Sequence, residues 1–127
     1  MFTNLNVFRL AHAMASHAGQ RQAVIARNVA NADTPGYRAR DITPFAGAEV
    51  QPAGTFSMRA DRPTHLNGAT SPAWAEVAAD GDAAPDGNTV SVEIEMMKAV
   101  EARRQHDRAI TIYKSALGVL RTGLGRG

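Results

Sequence analysis

The chain's 127 residues suffice for one domain of ordinary size, and 44% hydrophobic residues argue against disorder throughout; aromatics make up only 6% and Ala supplies much of the rest, so the core is expected to be thin. A net charge of +2 is too small to argue for nucleic acid on its own, and the absence of Cys excludes disulfides, cysteine nucleophiles and thiolate metal sites. No run approaches the roughly 18 apolar residues of a membrane span. Ala13-Met14-Ala15 has the form of a signal cleavage site, but no basic leader precedes it and Arg9 and His12 interrupt the apolar run, so the N-terminus reads as mature helix.

The first element is a helix within residues 1–33. Apolar residues recur at Phe8, Ala11, Ala15, Ala18, Ile25, Val29 and Ala32, with only Gln22 breaking the alternation, and Leu5, Val7, Leu10, Met14 and Val24 widen the stripe. Spacing of three and four residues places these on one helix face. Thr3 or Asn4 is expected to cap its start. Gly19 weakens it by about 1 kcal/mol relative to Ala.

Residues 34–88 break the pattern. They hold all six Pro and more than half of the Gly, and Ala78–Asn88 is turn chemistry. Extended or irregular structure is expected here, with a strand fragment at Thr55-Phe56-Ser57-Met58.

A second helix is expected within 89–127, with Ser91 as its N-cap and Glu93 and Glu95 at the positive end of its dipole. Its apolar series is Val92, Met96, Ala99, Ile110, Tyr113, Leu117, Leu120 and Leu124, with Arg103 and His106 filling the remaining positions. That period approaches 3.5, the spacing of helices packed at a shallow angle. Gly118, Gly123, Gly125 and Gly127 predict fraying of the last turns. The fold class is therefore mainly α: two long terminal helices pairing antiparallel in coiled-coil fashion around a short, partly extended middle. A lone pair leaves much of each stripe in water, so such chains complete their burial against other subunits. Residues 1–33 and 89–127 are mildly basic and 34–88 acidic, which suggests different surroundings for the ends and the middle.

Candidate chemistry is sparse. His12 and His17 lie about 140° apart around a helix, which is wrong for an i, i+4 metal pair, and read as surface residues. Ser16 lies four residues from His12, but no acid completes a triad and no nucleophile elbow surrounds it. Glu93, Glu95 and Glu101 read as solvated carboxylates. No nucleotide-binding motif is present. Catalytic residues, metal ligands, cofactor and small-molecule substrate are all expected to be absent. Arg103, Arg104, His106 and Arg108 form a basic cluster, but Glu101 and Asp107 are interspersed and no aromatic offers a stacking platform, so a salt-bridged helix surface is the better reading than nucleic-acid contact.

The stretch Asn28-Val29-Ala30-Asn31-Ala32-Asp33-Thr34-Pro35-Gly36-Tyr37 carries the most information. Thr34 before proline leaves the α region, and Pro35-Gly36 fits the central positions of a type II turn with Gly at positive φ. Asn31 and Asp33 help to end the helix. Two Asn near a helix end, where propensity disfavours them, exceed what a helix stop requires; both amides are expected to be presented beside the exit. The pattern at Asn28, Ala30, Asn31, Thr34, Pro35, Gly36 and Tyr37 resembles the N-terminal signature of the flagellar axial proteins, the bacterial rod and hook family. Arg38–Phe45, Arg62–Leu66 and Asp86–Met96, with Gly87, Asn88 and Val90 leading into the second helix, resemble the proximal rod type within that family. Pro44 and His106 depart from its pattern.

The resemblance implies export through the flagellar type III apparatus without a cleaved Sec signal, and a place in the basal-body rod in the periplasmic space. It implies partners in copies of itself, other rod proteins, the inner-membrane ring and the rod adaptor. Helix packing and assembly are expected to rest on Leu5, Phe8, Met14, Ile25, Val29, Met96, Ile110, Tyr113, Leu117 and Leu120, with the isolated monomer only partly helical. The alternatives are another axial subunit, or a small helical nucleic-acid-binding protein, which predicts salt-dependent DNA binding.

Overall fold

The structure is a computed structural model that describes residues 2–46 and 74–125. Helix α1 spans Phe2–Ala30, strand β1 Arg40–Ile42, strand β2 Glu76–Ala78 and helix α2 Val92–Gly123. At 29 and 32 residues the helices have the expected lengths. Because α1 already begins at Phe2, Thr3 and Asn4 lie inside its first turn and neither is the cap. Ser91 does cap α2: its backbone is extended (φ −106°, ψ 114°), its hydroxyl accepts from the Ile94 N–H, and Glu93 and Glu95 follow in the first turn. Helix α2 runs unbroken past Gly118 to Gly123, where fraying was expected.

The helices pair antiparallel. Cross-contacts run from Asn28 with Glu95, through Arg21 with Glu101 and Met14 with Gln105, to Phe8 with Tyr113, whose rings meet edge to face at 5.1 Å. The seam is built from small residues. Ala11 and Ala18 of α1 face Ala102 and Ala109 of α2, all at most 2% exposed. On α2 the buried positions are Glu95, Ala102 and Ala109, a heptad spacing one residue out of phase with the bulky apolar series. Alanines win this face because they let the helices approach closely while Glu95 finds polar partners. Consequently Met96 is 62% exposed and Met97 69%; Val100, Ile110 and Tyr113 are also exposed, while Leu117 and Leu120 are half-buried. On α1, Ile25 is buried, Phe8 and Met14 are half-buried and Val29 is exposed; the side chain of Leu5 lies outside the described residues.

The middle contributes a small antiparallel ribbon, with Arg40 opposite Ala78, Asp41 opposite Val77 and Ile42 opposite Glu76. Hydrogen bonds from Thr43 N–H to the Ala75 carbonyl and from Ala79 N–H to the Ala39 carbonyl, each 3.0 Å, lengthen it at both ends. Ile42 and Trp74 pack on Val24 of α1 with Phe45 beside them, forming the compact apolar core. Glu76 ties the ribbon to the helix through Arg27 at 2.6 Å and to β1 through Arg40 at 3.1 Å. The expected strand at Thr55–Met58 and the motif at Arg62–Leu66 lie outside the described residues.

Candidate functional site

The chain leaves α1 as its residues dictate. Asn31 donates from its side chain to the Arg27 carbonyl and accepts from the Thr34 hydroxyl, closing the helix end locally. Tyr37 N–H then bonds the Thr34 carbonyl at 3.2 Å around Pro35-Gly36, with Gly36 at φ +72°, the expected type II turn. The turn reverses the chain so that residues 37–42 run back along α1. Asn28 meets them there.

Asn28 is 0% exposed, so its amide is not presented to a neighbour as expected; β1 and α2 close over it. Its Oδ1 accepts from the Arg40 N–H at 3.1 Å and its Nδ2 donates to the Arg40 carbonyl at 2.6 Å, so the side chain pairs with one peptide as a neighbouring strand would. The second Nδ2 proton goes to Glu95 Oε2 at 3.0 Å, and Oδ1 also accepts from the Tyr37 hydroxyl at 3.3 Å. Every donor and acceptor of the amide is used. A single side chain thereby joins α1, the exit turn, β1 and α2.

The lead-in to α2 clasps the same turn from the other side. Asn88, 3% exposed, aims Nδ2 at the carbonyls of Asn31, Ala32 and Thr34 at 3.0, 2.8 and 2.9 Å, sharing its two protons among three acceptors left over at the end of α1. Its Oδ1 accepts from Val90 N–H at 2.7 Å, and its own N–H donates to Asp86 Oδ1. Gly36 N–H donates to the Asp86 carbonyl, Thr89 N–H to the Tyr37 carbonyl, and Ala39 N–H to the Thr89 hydroxyl. Gly87 sits at φ +83°, and a Cβ there would lie 3.5 Å from the Gly36 Cα. Glycine serves both the left-handed backbone and the close approach of the two turns.

Beneath the clasp runs an ionic network. Glu95, 2% exposed, is not the solvated carboxylate expected; it takes Lys98 at 3.1 Å as well as Asn28. Lys98 also reaches Asp41 at 3.5 Å, and Arg21 holds Asp41 at 3.2 Å and Glu101 at 3.5 Å. Burial pushes the Asp41 carboxyl up. The Arg21 hydrogen bond, the Ile42 N–H and the charges of Arg21 and Lys98 outweigh it, so its pKa lies below the ordinary 3.8.

Of the remaining predicted residues, Ala30 ends α1 on its exposed side. His12 is on the surface as expected; His17 is not. At 2% exposure it donates from Nε2 to the Thr43 carbonyl at 2.8 Å and accepts at Nδ1 from Gln105 at 2.9 Å, with Trp74 edge-on at 4.9 Å between the ring centroids. The ribbon covers His17, and a helical stripe read alone has no signal for that cover. Thr89, Glu95, Lys98 and Trp74 also escaped the sequence reading as clasp and core residues. The one available signal was that Glu95 stands in phase with Ala102 and Ala109. Arg103 pairs with Asp107 at 4.0 Å, in keeping with a salt-bridged surface.

The family described as "Flagella basal body rod protein" matches residues 13–38, the end of α1 and the exit turn. A flagellar basal body rod protein FlgB of Agrobacterium fabrum is 31% identical over 120 residues, covering 87% of each chain. The chain belongs to the FlgB family of flagellar basal body rod proteins. FlgB of Escherichia coli is 30% identical with 82% of this chain and 85% of its own covered, and FlgB of Salmonella typhimurium 32% identical with 77% and 78% covered. In this member of the FlgB family the match at residues 13–38 takes in Asn28 and the turn, while Asn88 and Glu95 complete the clasp from α2. The family is one of structural rod subunits of the basal body, and among the described residues no helix is long and apolar enough to cross a membrane.

Proposed function

We propose that the chain is a subunit of the proximal rod, polymerising through its terminal helices into the shaft that links the inner-membrane ring to the distal rod and transmits torque. Its partners are further copies, other rod proteins, the ring and its adaptor, and the type III export apparatus that delivers it without a cleaved Sec signal. The observation that carries this reading is the outward apolar face of α2. Met96, Met97 and Val100 stand exposed on a helix whose inner face is already filled by alanines. Such a face on a long helix is interface, not core. The clasp sets how α1 and α2 sit relative to each other and so fixes the shape that stacks; Phe8, Met14, Ile25 and Tyr113 hold the pair, while Val29, Met96, Ile110, Leu117, Leu120 and the Leu5 end supply contact with neighbours.

The test is deletion of the gene in the source bacterium followed by electron microscopy of purified basal bodies. Rings without rods, in cells that do not swim, are the expected result. Intact rods and normal swimming would overturn the reading.

A further inference from the structure

A groove of about 560 Å³ opens between α1, the end of β1 and α2. Met14, Pro44 and Phe45 give it an apolar wall, and Arg104 and Arg108 stand at its rim one helical turn apart. The acids that line it, Asp41 and Glu101, are already engaged by Arg21, and Asp41 also by Lys98. Among the described residues neither Arg104 nor Arg108 has an ion-pair partner, and both are exposed. The groove therefore offers two uncommitted guanidinium groups beside an apolar shelf. That combination fits an acidic segment with small apolar side chains.

The chain carries such a segment. The loop of residues 79–87 exposes Asp80 and Asp82 among Ala79, Ala83 and Ala84, and among the described residues neither Asp has an ion-pair partner. The loop is preformed. Ala84 N–H bonds the Asn88 carbonyl and Gly87 N–H the Ala84 carbonyl, each at 2.8 Å, and Gly36 N–H holds the Asp86 carbonyl at 3.0 Å. The same bonds anchor it to the exit turn. Along α1 that is 7 to 14 residues beyond the level of the groove's Arg21 and Met14, roughly 10–20 Å at 1.5 Å per residue. The loop thus cannot fill its own groove while the clasp is closed.

We infer that the loop of residues 79–87 of one copy docks in the Arg104–Arg108 groove of the next. This rests on the reading that the chain polymerises. The contact is heterologous, with different surfaces meeting, so it propagates along a helical array instead of closing into a pair. Exposed charge pairs set orientation and partner choice more than raw affinity, and here they would fix the direction in which copies add.

The chain has no Cys, so introduced thiols report a contact without background. Cells whose only copy carries both Asp82→Cys and Arg108→Cys are grown, and their basal bodies are purified and mildly oxidised. A ladder of disulfide-linked multimers is expected, with none from either single variant. Rods present but no ladder would overturn the docking and leave the rod reading standing; swimming cells after gene deletion would remove the rod reading itself. If the double Cys variant forms no rods, the decision passes to a charge swap. Asp82→Arg and Arg108→Asp are each expected to reduce swimming several-fold, and their combination to restore it. Failure of the combination to restore swimming, or no loss from either single change, would overturn the docking.

Discussion

Asn28 has no replacement of equal geometry. It satisfies both polar groups of the Arg40 peptide and one oxygen of a buried glutamate at once. Asn28→Ala leaves these groups enclosed without partners, and a loss of about 2–4 kcal/mol is expected from denaturant unfolding. Gly87→Ala is expected to cost about 1–2 kcal/mol by the same measurement, from the left-handed backbone at φ +83°. Asp41 gives the clasp a pH dependence of defined sign. Its folded pKa lies below the ordinary 3.8, so its contribution is full above that value and disappears as pH falls through the lower folded pKa. Unfolding titrations should show this acid loss in the parent chain and its reduction in Asp41→Asn. At this scale much was legible. The type II turn at Pro35-Gly36 and the cap at Ser91 follow from local chemistry and stand where expected. The partners of Asn28 did not, because they come from residues 12 and 67 positions away and local sequence gives no measure of such distances.

The two helices were legible as elements because their apolar period runs through about thirty residues, more than any local preference can override. Which face of α2 turns inward was not. Periodicity weights Met, Val and Leu heavily, yet the seam is chosen by Ala102, Ala109 and the partnered Glu95, leaving Met96 and Met97 outside. Two opposite predictions separate the faces. Ala109→Leu forces bulk into the seam and should lower the helical melting transition by about 1–3 kcal/mol. Met96→Ser with Met97→Ser should change monomer stability by no more than about 0.5 kcal/mol while removing rods from purified basal bodies. The ribbon escaped the sequence reading for a different reason: β1 and β2 have three residues each, too short for an alternating pattern, and they exist because α1 gives Ile42 and Trp74 a surface to cover.

In the whole molecule, stability is graded along the helix pair. At the clasp end, the apolar core, the ionic network and the Asn28 and Asn88 amides all converge. Towards the other end the Phe8–Tyr113 ring contact joins the helices where Val119 and Leu124 are largely exposed. An isolated subunit should therefore be ordered around the clasp and open towards the far end, completing its helices against neighbours. The account's central claim is that the Asn-rich motif acts within the subunit, holding the two helices in the shape that stacks. Amide hydrogen exchange of the isolated chain and its Asn28→Ala variant tests it most directly. Protection across residues 37–43 and 88–96 in the parent chain, and its loss in the variant, is the predicted result. Equal protection in both chains, in a variant that still fails to build rods, would contradict the claim and place the work of Asn28 at a contact between subunits.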